Sequence, residues 1–287
     1  MAVGFLHAML LYVGDILAAY GVLLLVGAWV VWWRDRWLLT WALLLFVLVS
    51  LPSADSGSIS TDPPHVSMLP PDLGAMLAER VAVQPFIMLL GPVGFAGPFL
   101  VGLWAGRRRV LERPEQHRRL LGVVAVLGIA AAVAGAQPVS LMLAGVTGVP
   151  GAGVLELVGP LHDSSGILGG FGYAAAFALV ADRVGHGTGH GAGNRVGDRR
   201  GRVVEAVAAT GQRSMTCYLA QSLVWAVAFT PFLLDLSSTL TVATTALLAT
   251  ATWAATVVMA DRMARAGRRG PFEVLVRRVT YAGSVRG

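Results

Sequence analysis

The chain has no lysine, a single cysteine and few charges: only 13% of its 287 residues are Asp, Glu, Lys or Arg. Without lysine there is no glycine-rich phosphate loop closed by Lys and Ser or Thr, which excludes an ATP-driven pump within these residues. Cys217 has no second cysteine to pair with, so a disulfide framework and a cysteine zinc site are both excluded. A G-x-S-x-G nucleophile turn is missing as well. A soluble domain carries about 25% charged residues. Here 55% of residues are hydrophobic and mean hydropathy is +0.68, more apolar surface than a soluble fold can hide.

What is present is a series of apolar runs of about 17–25 residues, the length of helix that crosses a hydrocarbon core of about 30 Å. They lack the period-2 alternation of a barrel strand, and in a bilayer the backbone must bond to itself, so they are expected to be helices. The expected fold is all-α: a polytopic transmembrane helix bundle of about seven complete spans plus a partial N-terminal helix. The spans fall near 14–33, 37–53, 85–105, 120–136, 164–182, 211–234 and 240–260. Residues 2–12 are too short to span, so the chain reads as beginning inside a helix, with no cleavable signal peptide ahead of it. The Gly/Pro-rich stretch 137–160 is expected to be an irregular outer loop or re-entrant segment. Pro85, Pro92 and Pro98 with Gly91, Gly94 and Gly97 suggest a kinked or interrupted span at 85–105.

All 22 basic residues are arginine, and 20 lie in four segments: Arg34 and Arg36; Arg107 to Arg119; Arg183 to Arg202; and Arg262 to Arg286. The alternate connections hold acidic residues, among them Asp55, Asp62, Asp72, Glu156 and Asp163, with Arg80 as the one arginine among them. That asymmetry is the positive-inside pattern. It predicts a multi-pass protein of the cell (inner) membrane with a cytoplasmic C-terminus. The bundle spans 1–261, with outer loops 54–84 and 137–163, a cytoplasmic Gly/Arg-rich loop 183–203 and a cytoplasmic tail 262–287. The arginines are topogenic and face anionic headgroups of the bilayer, so no nucleic-acid partner is expected. A membrane-protein partner or a second copy is compatible with the pattern.

Ionisable groups inside a membrane are expensive and so point to function. His7 lies in the partial first helix, and Asp15 follows at the outer end of the next span. A carboxylate beside an imidazole suits a general base or proton relay. The same residues also suit a structural hydrogen-bonded pair, or a helix cap at Asp15. Arg213, Ser214, Thr216, Tyr218, Gln221 and Ser222 form a second constellation. Positions 214, 218, 221 and 222 share one helix face, which can line a substrate or serve as interhelical hydrogen-bond glue. His186 and His190 sit on a glycine-rich tether in 186–202, read as a disordered linker and not as a metal site. His162 and Asp163 look like a helix start, with Asp163 or Ser164 as cap. No metal or organic cofactor is expected.

Three stretches carry a family likeness. GFLHAMLLYVGDILAAYGVLLLVGAW at 4–29 resembles the G-x-x-H…G-D-I-L-x-x-Y-G signature of the YeiB-like membrane proteins, domain of unknown function 418. GQRSMTCYLAQS at 211–222 resembles that family's G-R-x-x-L-T-N-Y-x-x-Q-S element, with Cys217 in place of Asn. GPFEVLVRRVTYAG at 270–283 is similar to its closing G-P-x-E-x-L-W-R-x-L-T-Y, with Val276 in place of Trp. Members normally carry further helices ahead of the His-bearing one, so the resemblance implies a truncated member or a misplaced start. It also implies kinship with membrane acyltransferases: His7 would be general base, Asp15 its orienter, and the face around Tyr218 the acceptor or donor lining. A transporter gated at 85–105 and a non-catalytic membrane partner stand as alternatives.

Within the tail, Phe272, Leu275, Val276 and Val279 fall at i, i+3, i+4 and i+7, while Arg277, Arg278 and Glu273 lie largely off that face. A short amphipathic helix in the cytoplasmic interface is expected. The topology is testable in a Cys217→Ser background. Single cysteines near 60 and 150 should react with an impermeant maleimide from outside the cell, and those near 112, 193 and 275 only after permeabilisation. Labelling of 112 and 150 from the same side would break the scheme.

Overall fold

A computed structural model describes residues 2–52, 64–187 and 195–281, and among these residues every regular element is helical. The helices are α1 (Ala2–Leu10), α2 (Leu17–Val30), α3 (Asp35–Ser50), α4 (Leu73–Arg107), α5 (Arg118–Leu143), α6 (Ala152–Gly187), α7 (Arg195–Gly211), α8 (Ser214–Phe229), α9 (Val242–Arg265) and α10 (Pro271–Tyr281). Four of them, α4, α5, α6 and α9, are long and apolar enough to cross a membrane. The expected spans at 14–33, 37–53 and 211–234 correspond to the shorter helices α2, α3 and α8, of which α2 and α8 are apolar helices of under 18 residues. Large apolar side chains such as Leu24, Trp29, Leu89, Val126 and Leu247 are turned outward, as lipid-facing residues are.

Two compact units emerge. The first gathers residues 16–52 and 86–187. Its α5 and α6 pack along each other through small residues: a Cβ at Gly172 would stand 2.8 Å from the Ile129 nitrogen, and one at Gly169 would stand 2.5 Å from the Ala132 Cβ. Close backbone approach of this kind replaces the hydrophobic drive that lipid removes. The arginine-rich turns of this unit meet at one end. Arg107 donates to the carbonyls of Val31 and Trp33 and to Asp35, and Arg108 reaches Asp35 at 2.8 Å. Arg118 pairs with Asp182 at 3.0 Å.

The second unit gathers residues 2–15, 64–85 and 195–281. Within it α9 packs on both α7 and α8, and α10 packs on α8. Thr241 and Thr244 close a reciprocal capping box at the start of α9. Ala209, Cys217 and Ala260 form a small core, which is the packing role open to a lone buried cysteine.

Several boundaries differ from the sequence reading. The stretch 137–160 is helical except for 144–151, because a backbone in or near hydrocarbon bonds to itself even through Pro138 and Pro160. α6 therefore begins at Ala152, and His162 and Asp163 lie well inside it, not at its start. The connection placed at 54–84 becomes helical from Leu73, where Asp72 Oδ1 accepts the Ala75 N–H at 2.8 Å as an N-terminal cap. α4 stays helical through Pro85, Pro92 and Pro98, so the span at 85–105 is not interrupted. In the 183–203 loop, α7 begins at Arg195; residues 188–194, His190 among them, lie outside the described residues.

Candidate functional site

The carbonyls at the end of a helix have no intrahelical partner and must find one elsewhere. At the end of α1, Leu11 and Tyr12 donate to the His7 carbonyl, while the Ala8 and Met9 carbonyls accept from Arg80 Nη1 at 3.4 and 3.1 Å. Arg80 Nε donates to the Ser67 carbonyl at 3.1 Å. One turn further along α4, Gln84 Nε2 donates to the Val13 carbonyl at 2.6 Å. Both side chains are buried, with Arg80 2% and Gln84 0% exposed. A cation at a helix C-terminus also meets the negative end of the helix dipole. Burying an ion costs several kcal/mol, and bonds from a charged donor to a carbonyl return about 1.5–3 kcal/mol each. The two are of one order, so Arg80 is tolerated here although no carboxylate pairs with it among the described residues.

The clamp fixes the turn that carries two buried ionisable residues. His7 is 3% and Asp15 1% exposed, and His7 Nδ1 lies 3.0 Å from Asp15 Oδ1, at ion-pair distance though off hydrogen-bond alignment. Tyr218 of α8 completes the group. Its hydroxyl donates to Asp15 Oδ1 at 3.0 Å, and its ring lies 5.2 Å from the imidazole, centroid to centroid. His7 Nε2 is buried without a hydrogen-bond partner among the described residues. Such an atom costs about 1–3 kcal/mol, which folding alone gives no reason to keep.

Tyr218 also borders a cleft of about 570 Å³. Leu11, Tyr12, Met68, Leu69, Trp225 and Phe229 make most of its wall, and Arg80, Ser222 and Thr230 supply polar atoms. His7 and Asp15 do not line it, so Tyr218 is the group that touches both the cleft and the pair.

The polar constellation on α8 divides by contact. Tyr218 and Ser222 border the cleft, and the Ser222 hydroxyl donates to the Tyr218 carbonyl at 3.0 Å. Gln221 donates to Thr256 of α9 at 2.9 Å, the interhelical bond foreseen as its alternative. Ser214 is exposed. Arg213 and Thr216 hold the tail instead. Arg213 Nη2 donates to the Arg268 carbonyl at 2.6 Å and Nη1 to the Ala209 carbonyl at 3.1 Å. The Glu273 carboxylate accepts the Thr216 N–H at 3.0 Å and also its hydroxyl. Glu273 thus caps α8 from another helix, where Arg213, the residue before that helix, provides no side-chain cap. A Cβ at Gly270 would run into Thr216 and Glu273, which explains the glycine ahead of Pro271.

Arg80, Gln84 and Glu273 were not singled out from the sequence as site residues. Arg80 had a signal: it is the one arginine on the acidic side of the charge pattern, so it could not be there for topology. Among the described residues, no group of three or more His, Cys, Asp or Glu is placed to hold a metal ion.

A family model described as "Protein of unknown function (DUF418)" matches residues 105–283, more than half of the chain. The match contains the 211–222 and 270–283 elements, which the structure brings into contact through Thr216 and Glu273. It does not extend to His7 and Asp15. No curated protein and no solved structure matches the chain.

The tertiary cap has a pH signature. Burial pushes the Glu273 carboxyl up, but the Thr216 hydroxyl and the backbone N–H groups of Thr216, Glu273 and Met215 outweigh it and hold the carboxyl below its ordinary value. A carboxyl lowered in the folded state adds stability above its unfolded pKa and loses it as pH falls through the folded one. The difference in unfolding midpoint between wild type and Glu273→Gln should therefore be constant from about pH 8 to 5 and fade below about pH 4. A difference that grows on acidification would contradict the cap.

Proposed function

The chain belongs to the DUF418 family and is a membrane protein, and on that premise we propose that it is an acyltransferase-like enzyme. The observation that carries this is the chain from the half-buried Tyr218 to the buried Asp15 and His7, standing beside a mostly apolar cleft. Acyl transfer to a hydroxyl requires a group that takes the acceptor's proton as its oxygen attacks the acyl carbonyl carbon. In this arrangement the acceptor O–H passes its proton to the Tyr218 oxygen while the Tyr218 proton moves onto Asp15. The His7–Asp15 pair holds the transferred proton, and Tyr218 stays neutral. The tetrahedral intermediate then collapses, the bond between acyl carbon and donor heteroatom breaks, and the leaving alcohol or thiol recovers the proton by the same route.

The apolar wall suits the acyl chain or lipid portion of a substrate, and the Ser222 and Thr230 hydroxyls suit its polar end. Relative to the sequence reading, Asp15 becomes the middle of the relay as well as the orienter of His7, and Tyr218 becomes the contact with substrate. Arg213 and Thr216 leave the substrate list and become positioning residues for α8.

Membranes from cells overproducing the full chain, incubated with radiolabelled short- and long-chain acyl thioesters, should transfer label to a lipid or glycan fraction above vector membranes. His7→Ala, Asp15→Asn and Tyr218→Phe should each lower that transfer by about 10²–10⁴-fold at unchanged membrane level, the size of a general-base contribution. Transfer that persists in all three variants would overturn the proposal, and so would the absence of any transfer by wild type.

A further inference from the structure

We infer that the cleft beside Tyr218 binds the oxyanion head of an amphiphile, seated on Arg80. The inference rests on the cleft described above but not on its chemistry. A guanidinium has five N–H donors. Nε and Nη1 of Arg80 spend theirs on the Ser67, Ala8 and Met9 carbonyls, and Nη2 donates to no described residue. Arg80 lines the cleft and no carboxylate lies within ion-pair reach among the described residues, so a full positive charge borders a space that is mostly apolar.

Asp15, the carboxylate of the same unit described above, contacts His7 and the Tyr218 hydroxyl. Three carbonyl bonds fix the direction of the guanidinium, so a second anion-facing edge is held in place before any ligand arrives. A charge in apolar surroundings with two unused donors is complementary to a carboxylate or phosphate oxygen, the groups that guanidinium holds best. The Tyr12 and Ser222 side chains stand in the same wall and can accept or donate to the remaining oxygens of such a head. The rest of the wall is built of Leu11, Met68, Leu69, Trp225 and Phe229, which hold an alkyl chain and offer nothing to a small hydrated ion. Head and chain are thus both specified. The ligand class is an anionic amphiphile, a fatty carboxylate or an alkyl or glyceryl phosphate.

The topological pattern supports the same conclusion independently. Arginine on the acidic side of a membrane protein opposes the charge bias that sets orientation, and in this chain the one arginine of that kind, Arg80, is buried.

The test uses the full chain in nanodiscs made only of phosphatidylcholine, titrated with radiolabelled dodecyl phosphate, dodecanoate, dodecanol and inorganic phosphate. Dodecyl phosphate or dodecanoate should bind saturably, one per chain, and Arg80→Gln should weaken that binding about tenfold or more. Whichever of the two binds tighter identifies the head group. Ala226→Trp, which fills the cleft without touching the Arg80 carbonyl bonds, should abolish binding and so serves if Arg80→Gln does not fold. Saturable binding in a wild-type preparation that shows no acyl transfer separates failure of the relay from failure of the site. Equal binding of dodecanol, binding of inorganic phosphate as tight as that of dodecyl phosphate, or indifference to both cleft variants would overturn the inference.

Discussion

A guanidinium buried among backbone carbonyls is the interaction on which the candidate site depends. The end of α1 presents carbonyls that its own helix cannot satisfy, and in apolar surroundings water cannot satisfy them either. Arg80 and Gln84, four residues apart on one face of α4, reach three of the carbonyls between Ala8 and Val13. The turn from His7 to Asp15 is thereby tied to a helix, and the imidazole and carboxylate come to rest 3.0 Å apart. Loss of the clamp would leave unpaired carbonyls and let the pair separate, so structure and proposed chemistry have one support.

The opposite wall is set by α8, and its position is fixed at two levels. At its N-terminus Glu273 caps the first turn and Arg213 grips the Arg268 carbonyl. In its middle Gln221 bonds Thr256 of α9, and Cys217 packs with Ala209 and Ala260. Tyr218 lies between these anchors, so the phenol is carried on a helix whose register is held on both sides. Short polar contacts at helix ends and a few across helices do the positioning, while the long apolar faces are left to lipid.

Much of this was legible in the sequence where the physics is local. Length and apolarity marked the helices, and the i, i+3, i+4, i+7 pattern of Phe272, Leu275, Val276 and Val279 marked α10. His7 and Asp15 stood out because ionisable groups in apolar runs are costly. The 137–160 stretch is helical outside 144–151, against the irregular reading, because proline and glycine break helices in water more readily than where the backbone has no other partner. The division of the 213–222 residues between cleft, tail and α9 was not legible, because periodicity assigns a face and not the neighbour it meets. Tyr218 and Asp15 are 203 positions apart, and nothing local in the sequence announces their hydrogen bond.

The central claim is that these distant residues act as one unit, and a double-mutant cycle on Asp15→Asn and Tyr218→Phe measures it most directly. Thermal unfolding of the full chain in neutral detergent should give effects for the two single variants that do not add, with a coupling of about 0.5–3 kcal/mol. Strict additivity of the two substitutions would contradict the contact, and with it the relay.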